Sequence, residues 1–123
     1  MGSLGIFEAN TLDEMNFFYQ YVQKIIQQTY VKYGTIFENS SKVIIQEKII
    51  GKEYGLDILN SLTSEFVTVV AKEKLAMRAG ESDSVKLCDN APFFKLAKKI
   101  STSIRHIANL DVDCMVTNDN KIY

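Results

Sequence analysis

Gln46-Glu47-Lys48-Ile49-Ile50-Gly51-Lys52-Glu53-Tyr54-Gly55-Leu56-Asp57 is the stretch whose reading decides the fold. A strand ends on a carboxylate, the chain crosses a glycine, and a second strand opens on another carboxylate. The first strand is Lys42-Val43-Ile44-Ile45-Gln46-Glu47, rich in β-branched residues. The second runs from Glu53 to Asn60. A strand end followed by a glycine bend exposes backbone donors and acceptors at a cleft. Such groups can read the edge of a purine, and a carboxylate a few residues on can accept hydrogen bonds from ribose hydroxyls. A solvated hairpin corner has the same spacing, and spacing does not separate the two.

Working outward, Phe66 to Lys74 is a third strand, joined to the second by Leu59-Asn60-Ser61-Leu62-Thr63-Ser64 as a hairpin. Towards the N-terminus, Ile6-Phe7-Glu8-Ala9 is a short strand, and Thr11-Leu12-Asp13-Glu14 is a capping box in which Glu14 reaches back to the Thr11 amide. Met15, Phe18, Tyr19, Val22, Ile25 and Ile26 recur at helical spacing and predict a helix from Leu12 to Tyr33, stopped at Gly34. That stripe reads as core. Towards the C-terminus, Met77 to Leu87 lacks a clean period and reads as a loop. Asp89 or Asn90 caps a second helix, Pro92 sits in its first turn, and Phe93, Ala97, Ile100, Ile104 and Ile107 form its buried face. Asp111 to Thr117 is a further strand. Asn118-Asp119-Asn120 turns the chain into Lys121-Ile122-Tyr123, the opening of another. Short connections favour antiparallel pairing. The expected class is α+β, an antiparallel sheet with two helices packed on one face.

Composition narrows the function classes. The 123 residues are 46% hydrophobic and 24% charged, which excludes wholesale disorder. A formal net charge of -1 supplies no global positive field, so neither nucleic acid nor an anionic membrane is an expected partner. The apolar runs fall far short of the roughly 20 residues that span a bilayer. Met1-Gly2-Ser3-Leu4-Gly5 lacks the regions of a signal peptide, so the expected location is cytoplasmic. Cys88 and Cys114 read as free thiols there. His106 is the single histidine, which excludes a multi-histidine metal site and leaves a hard cation held by carboxylates as the metal to expect.

Three further groups carry chemistry. Asp111 and Asp113 share one strand face by period two, and can help to bind Mg²⁺ or simply point into water. Lys72, Lys74 and Arg78 form a basic cluster near Gly80-Glu81. It fits an anion site or a solvated edge strand protected by lysines. Gly2-Ser3-Leu4-Gly5 before a strand could cradle phosphate through backbone N–H groups, although it is neither a Walker motif nor a dinucleotide fingerprint.

Together these pieces resemble the central part of an ATP-grasp domain, of the carbamoyl-phosphate synthase large-subunit type. The resemblance rests on Gly2-Ser3-Leu4-Gly5-Ile6, the Gln46–Asp57 stretch, Met77-Arg78-Ala79-Gly80-Glu81, and Asn109-Leu110-Asp111-Val112-Asp113 followed by a turn and Lys121-Ile122-Tyr123, in family order over nearly the whole chain. It implies that Gly2, Ser3 and Gly5 belong to a loop over the ATP phosphates. It implies that the backbone of Glu47 and Ile49 pairs with adenine, that Glu53 binds the ribose hydroxyls, and that Asp113 is a Mg²⁺ ligand. Lys72, Lys74 and Arg78 fall where the family faces phosphate or the acceptor substrate. The implied cofactors are ATP and Mg²⁺. The implied activity is that of an ATP-dependent carboxylate–amine ligase or carbamoyl-phosphate synthase-like enzyme, acting on a small carboxylate or amine through an acylphosphate.

The pattern departs from the family at both ends. The sequence stops at Tyr123, just before the position where the family has a Glu-x-Asn segment with further Mg²⁺ ligands, and the basic residue expected on a strand before the glycine loop is missing. Residues 1–123 are therefore read as a partial ATP-grasp domain, truncated at both ends and inactive alone. The unfinished hairpin after Asn120 leaves a sheet edge open to homodimer formation. The alternative reading is a non-enzymatic α+β binding or assembly module.

Overall fold

The computed structural model describes residues 5–28, 43–78 and 80–123. They fall into two compact units, Met1–Lys48 and Ile49–Tyr123. The first is built on helix α1, Leu12–Gln28. The Thr11 hydroxyl accepts from the Glu14 amide at 3.2 Å, and the Glu14 carboxylate accepts from the Asn10 amide at 2.7 Å, one residue before the amide expected. The predicted stripe of Met15, Phe18, Tyr19, Val22, Ile25 and Ile26 is the least exposed face of the helix. The helix expected to Tyr33 and its Gly34 stop lie outside the described residues past Gln28.

Two predicted strands in this unit are irregular instead. Ile6–Ala9 makes no ladder, and Phe7 stacks on Phe18 of α1 at 4.9 Å between ring centroids. Val43–Glu47, the described part of the predicted Lys42–Glu47 strand, is also irregular, with Ile44 and Ile45 exposed. β-branched residues favour a strand only where a neighbour completes the ladder.

The second unit is a four-stranded antiparallel sheet with one helix on it. Its strands are β1 (Lys52–Asn60), β2 (Phe66–Arg78), β3 (Glu81–Leu87) and β4 (Ala108–Val116), in the spatial order β3-β2-β1-β4. Helix α2, Ala91–Ile104, follows β3. The hairpin between β1 and β2 stands as predicted: the Ser61 hydroxyl accepts from the Thr63 and Glu65 amides, and Ser64 takes positive φ. The predicted loop at Met77 to Leu87 is instead the end of β2, a turn at Gly80, and all of β3. Every residue of β3 is exposed, so neither face is selected for apolar residues and no alternation marks it.

Period two divides the sheet. Leu56 and Ile58 of β1, Val69 and Ala71 of β2 and Cys114 of β4 meet Phe93 and Ala97 of α2 in the core, and Tyr54 packs against Phe93. α2 enters where β3 ends. The Ala71 carbonyl accepts from the Cys88 amide at 3.0 Å, and the Ala71 amide donates to Asn90 Oδ1 at 2.8 Å. Asn90 is thus spent on β2, and Asp89 Oδ1 takes the Ala91 amide of the first turn at 3.0 Å. The predicted helix face is right at Phe93, Ala97 and Ile100 but fails at its far end, where Ile104 and Ile107 are exposed. Ser101 is buried in their stead, its hydroxyl donating at 2.7 Å to Asn60 Oδ1, while Asn60 Nδ2 donates at 2.9 Å to the His106 carbonyl. After Val116 the chain turns, and Met115 and Tyr123 exchange both backbone hydrogen bonds, so the predicted last strand partners that part of the β4 edge. Among the described residues, no helix is long and apolar enough to cross a membrane.

Candidate functional site

The side of the sheet away from α2 carries the chemistry. In register across it, Gly55 of β1 stands between Lys72 of β2 and Asp113 of β4, and Asp57 stands between Val70 and Asp111. Glu53 lies one pleat further along β1, on the same face. The missing side chain at Gly55 leaves a floor over which both lysine stems pass. A Cβ placed there would lie 3.7 Å from the Cε of Lys72 and of Lys74, and 3.9 Å from Asp113 Oδ1. The result is a cleft of about 420 Å³ lined by Gly55, Lys72, Lys74, Asp111 and Asp113, with Gly80, Glu81, Ser82 and Val85 of the β2–β3 hairpin forming its wall.

The charges are paired across the strands, Lys74 with Glu53 directly opposite and Lys72–Asp57 and Lys74–Asp113 on the diagonal. Lys74 Nζ bridges Asp113 at 2.6 Å and Glu53 at 2.8 Å, and its side chain is only 8% exposed. Burial works against its charge, but the hydrogen-bonded carboxylates of Asp113 and Glu53 outweigh that and hold its pKa above the ordinary lysine value. Lys72 Nζ pairs with Asp57 at 2.7 Å and is more open. Asp57 and Asp111 face each other directly, a like-charge pair that the ladder tolerates because Lys72 neutralises one member.

The sequence-derived site residues distribute as follows. Glu53, Lys72, Lys74 and Asp113 come together on one face. Asp111 shares that face, as period two required. Arg78 does not join them: it lies at the far end of β2, exposed and paired with Asp83 at 2.8 Å. Ile49 is half-buried in the irregular run before β1. Gly5 and Glu47 belong to the first unit, where Gly5 turns with a φ of 80° and Glu47 is exposed. Gly2 and Ser3 lie outside the described residues. The edge-strand reading of the lysines falls, because β2 is an interior strand between β3 and β1.

Sequence reasoning passed over Gly55 as the floor, Asp57 as the partner of Lys72, and the hairpin wall of Glu81, Ser82 and Val85. The first two were within reach, since Glu53, Gly55 and Asp57 alternate in the stretch quoted at the outset. The wall was hidden by the missed β3. Gly51 has a different role, in packing. A Cβ there would lie 2.8 Å from the Val116 carbonyl carbon and nearer still to its oxygen.

As a cation site this donor set does not fit. Asp113 is engaged by an ammonium, and among the described residues no three His, Cys, Asp or Glu side chains are grouped to hold a metal ion. Compared with known proteins, the chain matches no family model and no curated protein.

Proposed function

We propose that the open face of the sheet is the phosphate-binding side of an ATP site, in an ATP-dependent ligase of the ATP-grasp type that activates a small carboxylate for attack by an amine. One observation carries this reading: Lys72 and Lys74 lie over a side-chain-free Gly55 in an open cleft, with carboxylates at the same level. Phosphoryl transfer asks of a protein chiefly positioning and charge compensation. A flat backbone floor lets a polyphosphate approach, and two ammonium groups can meet its oxygens. The carboxylates keep the face from being indiscriminately anion-binding, because an incoming phosphate has to exchange with the ion pairs already there. Glu53, the proposed ribose contact, borders the same cluster through Lys74. The motifs quoted above supply the family direction, and the α+β sheet with its polar open face agrees with it.

The test is isothermal titration of the full chain with ATP and with inorganic tripolyphosphate, repeated on Lys72→Ala. The expected result is weak binding of both ligands by the wild type, with a loss of about tenfold in the variant, the size of one charge-assisted contact. Tripolyphosphate that gives no heat, or a variant that binds as well as the wild type, would assign the cleft to a protein-binding module instead.

A further inference from the structure

The net charge of -1 gave no reason to expect an anionic surface as a partner, but the fold gathers cations of the second unit on one helix. We propose that α2 and the tip of the β1–β2 hairpin form a docking surface for an anionic lipid bilayer. The hairpin tip enters the headgroup layer, and the helix cations lie against lipid phosphates. No residue of the cleft takes part, so this surface stands whether or not the cleft holds ATP.

Phe93, Ala97 and Ile100 turn one side of α2 to the sheet, which by helical period leaves Lys95, Lys98 and Lys99 on the other, all exposed. Arg105 is exposed at the C-cap. α2 contains no acidic residue. Among the described residues none of these four cations is in an ion pair, whereas Lys52, Lys72, Lys74 and Arg78 on the sheet each hold a carboxylate. The apolar tip lies at the C-terminal end of this helix. Asn60 stands opposite Ala108 at the end of the ladder, accepts from the Ser101 hydroxyl, and donates to the His106 carbonyl. These bonds hold the turn after Asn60 beside the end of α2. Leu62, 82% exposed, belongs to that turn, and Ile104 and Ile107, 59% and 58% exposed, flank Arg105 where the helix ends. Turn and helix end both project past the last ladder pair, so they form a blunt point. A protein partner held stably buries roughly 800 Å² a side, which three separate side chains on a blunt point do not offer. Nucleic acid would meet the cations and leave the aliphatic side chains in water. A bilayer takes both, with phosphates at its surface and an apolar layer just below. Glu65 of the same turn opposes the field, as one carboxylate against four cations.

The test is co-sedimentation of the full chain with vesicles of phosphatidylcholine alone and of phosphatidylcholine mixed equally with phosphatidylserine. Binding is expected to the mixed vesicles only, and to fade as salt is added. A cation near such a surface contributes about fivefold to the partition, so Lys98→Gln/Lys99→Gln should weaken binding by at least about tenfold. Leu62→Ser removes the most exposed apolar side chain of the tip and should also weaken binding about tenfold, with no packing lost. Arg78→Gln, at the far end of β2, should bind as wild type. Equal binding to both vesicles, or a loss in Arg78→Gln as large as in the lysine variant, overturns the proposal.

A second readout separates entry of the tip from adsorption by charge. The chain has no tryptophan, so Leu62→Trp places a single emission reporter in the turn. Its emission should move to the blue on mixed vesicles and stay in place with duplex DNA. Vesicle binding without that blue shift overturns the proposal, because the aliphatic tip then stays in water. Duplex DNA bound more tightly than mixed vesicles, with a loss in the lysine variant and none in Leu62→Ser, assigns the cations to nucleic acid and also overturns it.

Discussion

At the residue scale, the two glycines of the deciding stretch make opposite predictions. Gly51 has backbone packed where a side chain would be, so Gly51→Ala forces the chain away from Val116. The expected cost is about 1–3 kcal/mol, as for other overpacked sites, measured by urea denaturation. Gly55→Ala meets only ordinary contacts, so it should fold at least as stably as wild type while raising the floor of the cleft. Similar losses from both would show that the sheet does not approach Gly51 as described. Asp111 has the like charge of Asp57 opposite it. Asp111→Asn should therefore stabilise the chain, by about 0.2–1 kcal/mol at pH 7 and low salt, with the gain fading as salt is added. A destabilised Asp111→Asn would mean that the carboxylate has a favourable partner. For Glu53 the proposed ribose contact is tested by comparing ligands. Glu53→Gln should lower the affinity for ATP relative to tripolyphosphate, which has no ribose. An unchanged ratio removes the ribose role.

At the scale of elements, the turn of α2 that ends at Ile104 depends on a small polar cluster. Asn60 binds both the Ser101 hydroxyl and the His106 carbonyl, and His106 Nε2 lies 3.1 Å from the Ile58 carbonyl. Asn60→Ala leaves the buried Ser101 hydroxyl and the His106 carbonyl without their partner. The expected loss is about 1–3 kcal/mol by chemical denaturation, and a loss below a few tenths would mean that water replaces the amide. This cluster also shows what the sequence could and could not disclose. Phe93, Ala97 and Ile100 are legible as a buried helix face because their spacing repeats. Ser101 is not, because its burial depends on an asparagine 41 residues away. β2 is legible from its β-branched run Val67-Thr68-Val69-Val70, and β1 from the polar turn that joins the two. β3 is not, since Glu-Ser-Asp-Ser-Val-Lys-Leu is exposed throughout and is held by its backbone ladder to β2. Conversely, Val43 to Glu47 has the composition of a strand without the ladder. The cleft face follows the same division: the residue types of Glu53, Lys72, Lys74 and Asp113 are readable, but their pairing across the strands requires the register.

At the scale of the whole molecule, four groups among the described residues lower stability as the solution becomes alkaline. The carboxylate of Glu73 holds Lys52 above its ordinary value, and Lys74 is held up by Asp113 and Glu53 against its burial. Burial raises the Tyr54 phenol, and burial raises the Cys114 thiol. In each case the folded chain keeps a proton that the unfolded chain gives up more readily. The folded state therefore binds more protons at high pH, and stability falls as pH rises. The decline should begin near the thiol's ordinary 9.0 and steepen through the lysines' 10.5. Urea midpoints taken from pH 7 to 11 check this, and a flat or rising profile contradicts the pairing at Lys74.

The two cysteines differ in one respect that has a practical consequence. Cys88 is half-buried at the exit of β3, and Cys114 lies 6% exposed under α2. A thiol reagent should label Cys88 from the native state and reach Cys114 only when α2 lifts from the sheet. The lag between first and second labelling is then a direct reading of how often that layer opens, obtained without denaturant. Because Asp113 precedes Cys114 on the opposite face of the same strand, the same lag measured with tripolyphosphate present would report whether occupying the cleft tightens the layer behind it.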